Sequence, residues 1–342
     1  MTDWVAELAA LDEDGEPAVI VTVGAIRGSA PREPGAKMIV TRRETIGTIG
    51  GGQLEYQCAR KASELLADGD RDLPAIQTRR FALGSGCGQC CGGVVDVWFE
   101  KLGESPWLKD LFAHHRERQP LVVATTDNGA PDKMVLTANA VPTDCPPGVL
   151  ADARRLLDSE DGAMMSGPYL LEPVRPVDFH IAVFGAGHVG TAVVDVLSRL
   201  DCDIRWIDGR RGMLPGSLPR NVTALDSAAP AREVAAMPPG SYYLVMTHSH
   251  PLDLDICDQV LRRDDAAYCG LIGSRTKRRR FEQLLQKQGL DDERLRGLTC
   301  PIGVPGVDGK RPAEIALAVA AELLQVKGSR AATGRLTLGM TA

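Results

Sequence analysis

The stretch His180-Ile181-Ala182-Val183-Phe184-Gly185-Ala186-Gly187-His188-Val189-Gly190 decides the fold of the second half of this chain. A mostly apolar run ends in glycines spaced Gly-x-Gly-x-x-Gly, and a helical pattern over 188–200 follows. Strand, tight turn and helix in that order open a βαβ unit. Gly185 permits the turn, Gly187 lets backbone approach a phosphate, and Gly190 lets helix pack on strand. Free N–H groups at the helix start favour an anion there. The next strand, Ile204-Arg205-Trp206-Ile207, runs into Asp208, placed to accept hydrogen bonds from a ribose diol. Further strands at 222–225 and 242–246 alternate with helical patterns over 252–262, 274–288 and 312–324. Such alternation predicts right-handed crossovers and a Rossmann-type, doubly wound parallel sheet over 178–330.

The first half reads differently. Ala18-Val19-Ile20-Val21-Thr22-Val23 is an unbroken β-branched run, as in a strand buried on both faces. Other strands are expected at 37–40, 94–99 and 121–125, and helices at 4–11 and 53–66, so residues 1–141 form an N-terminal α/β domain. Between 142 and 177 stand Pro142, Pro146, Pro147, Pro168, Pro173 and Pro176. These residues read as a Pro-rich linker holding one short helix at 149–157.

Bulk properties narrow the function. The 342 residues suit two domains of roughly 100–200 residues each, and a 44% hydrophobic share fills two cores. The net charge of -6 argues against a general electrostatic grip on nucleic acid. The basic run Lys277-Arg278-Arg279-Arg280 reads as a solvated helix face. No apolar run approaches about 18 residues, so no membrane span is expected. The first residues lack a signal-peptide pattern, so a cytoplasmic location is expected. The nine cysteines are odd in number and mostly scattered. That does not make a secreted disulfide framework, and most should be free thiols.

Four further clusters could carry chemistry. Thr247-His248-Ser249-His250-Pro251-Leu252-Asp253 follows an apolar strand, at the sheet edge where ligands sit. His248 and His250 could contact a ligand or, with Asp253, a divalent metal. In Gly270-Leu271-Ile272-Gly273-Ser274-Arg275-Thr276-Lys277, Ser274 caps a helix whose first turn is basic. Arg275 and Lys277 are natural phosphate partners there, although an ordinary capped helix reads the same way. Gly84-Ser85-Gly86-Cys87-Gly88-Gln89-Cys90-Cys91-Gly92-Gly93 places three thiols in a flexible-type sequence that can ligate a soft metal or carry sulfur. Gly50-Gly51-Gly52-Gln53-Leu54-Glu55 opens a helix and is another candidate anion cradle.

Taken jointly, several segments resemble one family. They are Gly28-Ser29-Ala30-Pro31-Arg32 with Gly35-Ala36-Lys37-Met38, Gly47-Thr48-Ile49-Gly50-Gly51-Gly52-Gln53-Leu54-Glu55, and Gly88-Gln89-Cys90-Cys91-Gly92-Gly93. The second half adds Phe184 to Gly190, Met246-Thr247-His248-Ser249-His250, and Leu271 to Lys277. Cys300-Pro301-Ile302-Gly303 and Gly309-Lys310-Arg311-Pro312-Ala313-Glu314 complete the set. The chain resembles the XdhC/CoxI family, accessory proteins of xanthine dehydrogenase and related molybdenum hydroxylases. The resemblance implies a chaperone without turnover of its own. Its cargo would be the molybdenum cofactor, held for sulfuration by a cysteine desulfurase and passed to the apo-xanthine dehydrogenase molybdenum subunit. Molybdenum cofactor biosynthesis proteins would be partners, and a homodimer is implied. Cys91 is the best carry-over as a molybdenum or sulfur contact, then Cys90. Cys87 stands where the family commonly has an apolar residue. The cofactor would lie between the domains, its phosphate on Gly185, Gly187, His188 and Gly190 with Arg275 and Lys277 helping. Two other readings stay open: an NAD(P)-dependent oxidoreductase using the glycine turn and Asp208, and a scaffold that holds no cofactor.

Overall fold

A computed structural model describes residues 3–67, 76–84, 92–103, 106–127, 133–159 and 161–339, with side chains up to residue 330. The chain divides into two compact units, Met1–Pro176 and Val177–Ala342.

Unit 1 begins with helix α1 (Trp4–Glu13), capped by Asp3, whose carboxylate accepts from the N–H groups of Val5 and Ala6. Strands β1 (Ala18–Arg27), β2 (Lys37–Thr41) and β3 (Thr45–Gly47) lead to helix α2 (Gly52–Ala67). Strands β4 (Ile76–Ala82) and β5 (Val94–Lys101) complete an antiparallel sheet of order β3-β2-β1-β5-β4. The unbroken apolar run of β1 is buried on both faces. Val19, Val21 and Val23 meet Leu54, Cys58 and Leu65 of α2 on one side. Ile20 meets Leu8 of α1 on the other, with Leu108 of helix α3 (Pro106–Arg116).

A second antiparallel sheet follows, of order β7-β6-β9-β8, built from β6 (Leu121–Thr125), β7 (Lys133–Thr137), β8 (Met164–Ser166) and β9 (Tyr169–Val174). Helix α4 (Pro147–Leu157) packs on it through Val149, Ala153 and Leu156. Residues 142–176 are therefore not a linker but half of this layer, and the division between units falls after Pro176. The prolines have local reasons. Pro146 and Pro147 sit at the start of α4, where a missing N–H costs nothing. Pro168 shares the turn between β8 and β9 with Gly167. Pro173 lies opposite Val122 of β6, beyond the point where β8 stops pairing at Leu171, so β9 is an edge there. Buried ion pairs join the two sheets. Lys37 of β2 meets Glu172 of β9 at 2.5 Å and donates to Thr22 at 2.8 Å, and Lys133 of β7 pairs with Glu100 of β5.

Unit 2 is the doubly wound half. Its elements are β10 (His180–Phe184), α5 (His188–Leu197), β11 (Asp203–Asp208), β12 (Val222–Asp226) and a 3-10 turn at Pro230–Ala236. Then come β13 (Tyr242–Val245), α6 (His250–Arg263), β14 (Tyr268–Leu271), α7 (Arg275–Lys287), α8 (Asp292–Leu295), β15 (Leu298–Thr299) and α9 (Pro312–Gly339). All pairings are parallel, in the order β12-β11-β10-β13-β14-β15. That is the Rossmann arrangement, with its topological switch between β10 and β13. Alternation along β10 separates the two cores. Ala182 and Phe184 face Ile256, Val260 and Phe281 of α6 and α7. Ile181 and Val183 face Val193 and Leu197 of α5 and Val319 and Leu323 of α9. Among the described residues no helix is long and apolar enough to cross a membrane. The described cysteines are free thiols, all but Cys145 buried, as small apolar packing groups.

Candidate functional site

The carboxyl ends of the strands in unit 2 carry most of the residues singled out from the sequence, and the glycine turn stands at the switch point. It is held from below by β11. The Gly185 N–H donates to Ile207 O at 2.8 Å, and the buried Trp206 indole donates to Gly185 O at 3.1 Å. Gly185 has φ +115°, and a Cβ there would lie 2.4 Å from Met246 O, in the loop after β13. A Cβ on Gly190 would lie 2.0 Å from Gly185 O. Gly187 is different, because nothing lies within 4 Å of where its Cβ would be. Gly187 and His188 are exposed, and α5 has no side-chain cap. Its first-turn N–H groups have no intrahelical acceptor. Two glycines therefore serve packing and one leaves backbone open.

Asp208 does not stand ready for a ribose. It is buried, and its oxygens accept four hydrogen bonds from the chain itself. Oδ2 takes the Ala186 N–H at 2.6 Å and Arg210 Nη2 at 2.9 Å. Oδ1 takes the Arg210 N–H at 2.8 Å and Nε at 3.0 Å. A carboxylate offers about four lone-pair positions, so these bonds fill it. Burial alone would raise its pKa, but the Arg210 and Ala186 bonds outweigh that and hold it at about 2. Asp208 is a latch on the glycine turn, and Arg210, which sequence reasoning missed, is its partner. The only sequence signal was an arginine two residues beyond the strand's terminal acid.

The cluster after β13 resolves in a similar way. Asp253 is fully buried. Its Oδ1 accepts from Thr247 N–H at 3.0 Å and Oγ1 at 2.7 Å, and its Oδ2 accepts from Lys277 Nζ at 2.8 Å. Lys277 also donates to Ile272 O at 2.9 Å. Lys277 is thus turned inward, with a side chain 12% exposed. It is neither part of a solvated basic face nor a free phosphate ligand. It ties the loop after β14 to α6. His248 and His250 are exposed at the start of α6, and Asp253 is not available to join them. Among the described residues no group of three or more His, Cys, Asp or Glu could hold a metal ion. Ser274 caps α7, accepting from the Lys277 N–H at 3.2 Å, and Arg275 is exposed beside it.

An open cavity of about 890 Å³ lies beyond Arg275, at the carboxyl ends of β14 and β15. Its walls are the first turns of α7, the loop from Thr299 to Lys310 and one face of α9. The loop contains a cis peptide at Cys300-Pro301.

In unit 1 the cradle at Gly50 to Gly52 is filled from within. Glu55 accepts from Thr48 Oγ1 and from the N–H groups of Ile49 and Gly51, at 2.5, 2.9 and 3.0 Å. Burial would raise its pKa, and these bonds lower it below the usual range. Cys87, Cys90 and Cys91 lie outside the described residues.

Comparison with known proteins gives consistent neighbours. A family model described as the XdhC Rossmann domain matches residues 181–323, and one described as the XdhC and CoxI family matches residues 11–80. The uncharacterized protein YqeB of Escherichia coli K12 is 26% identical over 326 residues, covering 94% of this chain and 46% of that protein. The chain thus spans about half the length of that relative. A Bacillus subtilis 168 protein, described as a probable subunit of xanthine dehydrogenase, is 24% identical over 345 residues, covering 96% of this chain and 98% of that protein. A crystal structure described as a xanthine dehydrogenase from Bacillus halodurans shares the fold, with a TM-score of 0.71 at 22% identity, covering 95% of this chain and 96% of that one.

Proposed function

The chain belongs to the XdhC and CoxI family, and from that membership we propose that it acts in the maturation of xanthine dehydrogenase or a related molybdenum hydroxylase. The observation that carries this reading is that family matches fall in both units, in the family's order, with a full-length relative named for xanthine dehydrogenase. In this reading the protein takes the molybdenum cofactor as cargo, holds it while a cysteine desulfurase replaces an oxo ligand by sulfide, and delivers it to the apo-hydroxylase. Cys91 and then Cys90 are the thiols assigned to the molybdenum end. Cofactor biosynthesis proteins supply the cargo, and the working form is a homodimer in the cytoplasm.

Unit 2 suits an anionic cargo through backbone N–H groups and cations at the carboxyl ends of its strands. The oxidoreductase reading is weakened by Asp208. Its four accepted bonds leave no acceptor for a ribose diol unless Arg210 lets go.

The test is maturation itself. Apo-xanthine dehydrogenase is produced with and without this chain, and hydroxylase activity and cyanide-labile sulfur are measured per molybdenum. The proposal expects both to rise several-fold when the chain is present and to fall again with Cys91→Ala. Equal activity and sulfur content in its absence would remove the maturation role.

A further inference from the structure

Two segments singled out in the sequence remain to be accounted for: Cys300-Pro301-Ile302-Gly303 and the run beginning Gly309-Lys310. Both line the cavity of about 890 Å³ in unit 2, together with Ile272, Gly273 and Arg275 from a third such segment. Three stretches separated in sequence thus converge on one concave space at the carboxyl edge of a Rossmann sheet, where such folds bind ligands. The volume lies within the range that holds small molecules, roughly 300–1,000 Å³.

The chemistry of the lining is specific. Ile302, Ile315 and Ala318 present apolar surface, and four cations stand on the walls: Arg275, Arg278, Arg279 and Lys310. Three acids line it too. Glu282 is held by Arg278, with Nε to Oε1 at 2.8 Å. Glu322 accepts from the Tyr268 hydroxyl and the Gly303 N–H, the latter at 2.7 Å. Asp308 is exposed on the loop. Arg275, Arg279 and Lys310 make no ion pair among the described residues and are exposed. Nearer the glycine turn, Arg210 is bound to Asp208 and Lys277 to Asp253.

We propose that this cavity is the phosphate-ligand site of unit 2: it takes a nitrogen heterocycle against its apolar lining and that compound's phosphate between Arg279, Lys310 and Arg275. Two sources share this chemistry, the pyranopterin phosphate of the cargo and a free nucleotide. The first source rests on the maturation reading, and the second does not.

The experiment uses the full chain and three probes: inorganic pyrophosphate, AMP and extracted molybdenum cofactor. Binding is read by calorimetry for the first two and by pterin fluorescence for the third. The variant is Arg279→Gln/Lys310→Gln, whose side chains are exposed. The inference expects at least one ring phosphate to bind the wild type and to compete with pyrophosphate. Each cation removed should weaken it about tenfold, the scale of one charge-assisted hydrogen bond. Competition by cofactor identifies the cargo as ligand; competition by AMP alone identifies a nucleotide, and the cavity site stands in either case. If every probe that binds does so equally well to wild type and double variant, the cavity inference is overturned, and cofactor binding among them keeps the maturation reading. If AMP binds as expected and cofactor does not bind at all, the cargo part of the maturation reading falls and the cavity site survives. If no phosphate compound binds, the cavity is not the site.

Discussion

Replacing Lys277 by Met isolates the buried pair that ties α7 to α6. Asp253 has a side chain with 0% exposure, and Lys277 is the only cation placed against it among the described residues. In Lys277→Met the carboxylate keeps the two Thr247 hydrogen bonds but loses its counter-charge. Breaking a buried pair from one side costs about 3–5 kcal/mol, because an uncompensated charge remains. At roughly 2–4 °C per kcal/mol for a unit of this size, the unit 2 transition should fall by about 6–20 °C. Calorimetry at neutral pH measures this directly. Asp253→Asn/Lys277→Met should recover most of the stability, because no charge is then stranded. A Lys277→Met protein that melts within about 2 °C of the wild type, yet loses anion binding, would refute the reasoning. It would return Lys277 to the ligand role its sequence position suggested.

Three further outcomes follow from the same geometry. Gly190→Ala brings a Cβ to 2.0 Å from Gly185 O, so it should unfold unit 2 or cost several kcal/mol, whereas Gly187→Ala meets open space and should shift the melting temperature by no more than about 2 °C. Asp208 is depressed from 3.8 to about 2, so its contribution is full above the ordinary carboxylate range and is lost as pH falls toward 2; denaturant midpoints across that window should show about 2 kcal/mol that is missing in Asp208→Asn. His115 pairs with Asp3 at 3.0 Å and has a raised pKa through that hydrogen bond, so its contribution is present below its ordinary value of 6.5 and is lost as pH rises through the raised value. Melting of His115→Gln should lack that pH dependence.

The fold of unit 2 was legible because its signals are local. Residues 180–190 carry strand, turn and helix within eleven positions, and the alternation that follows allows few other topologies. The layer formed by residues 142–176 was not legible for the opposite reason. Its prolines mark a helix start, a tight turn and a strand edge, and each is harmless only because of where β6 and β8 lie. Sequence alone reads the same prolines as breakers. The site was legible in place but not in role. Gly187, His188, His248, His250, Ser274 and Arg275 do gather at the carboxyl edge of the sheet or beside it. Asp208, Lys277 and Glu55 look like ligand groups in a one-dimensional reading, yet each is consumed by an internal partner. Arg210, Asp253 and the Gly50–Gly52 loop supply those partners, and only the folded chain brings the atoms within 3 Å. Lys310 and Arg279 had the converse history, as motif or surface residues that the fold turns toward one cavity.

The measurement that bears most directly on the maturation role is equilibrium binding of molybdenum cofactor to the purified full-length chain, read as pterin fluorescence after oxidation and as bound molybdenum. That role predicts saturable, stoichiometric binding that weakens in Cys91→Ala. Absence of binding by the wild-type chain, with NAD(H) bound in its place, would contradict it.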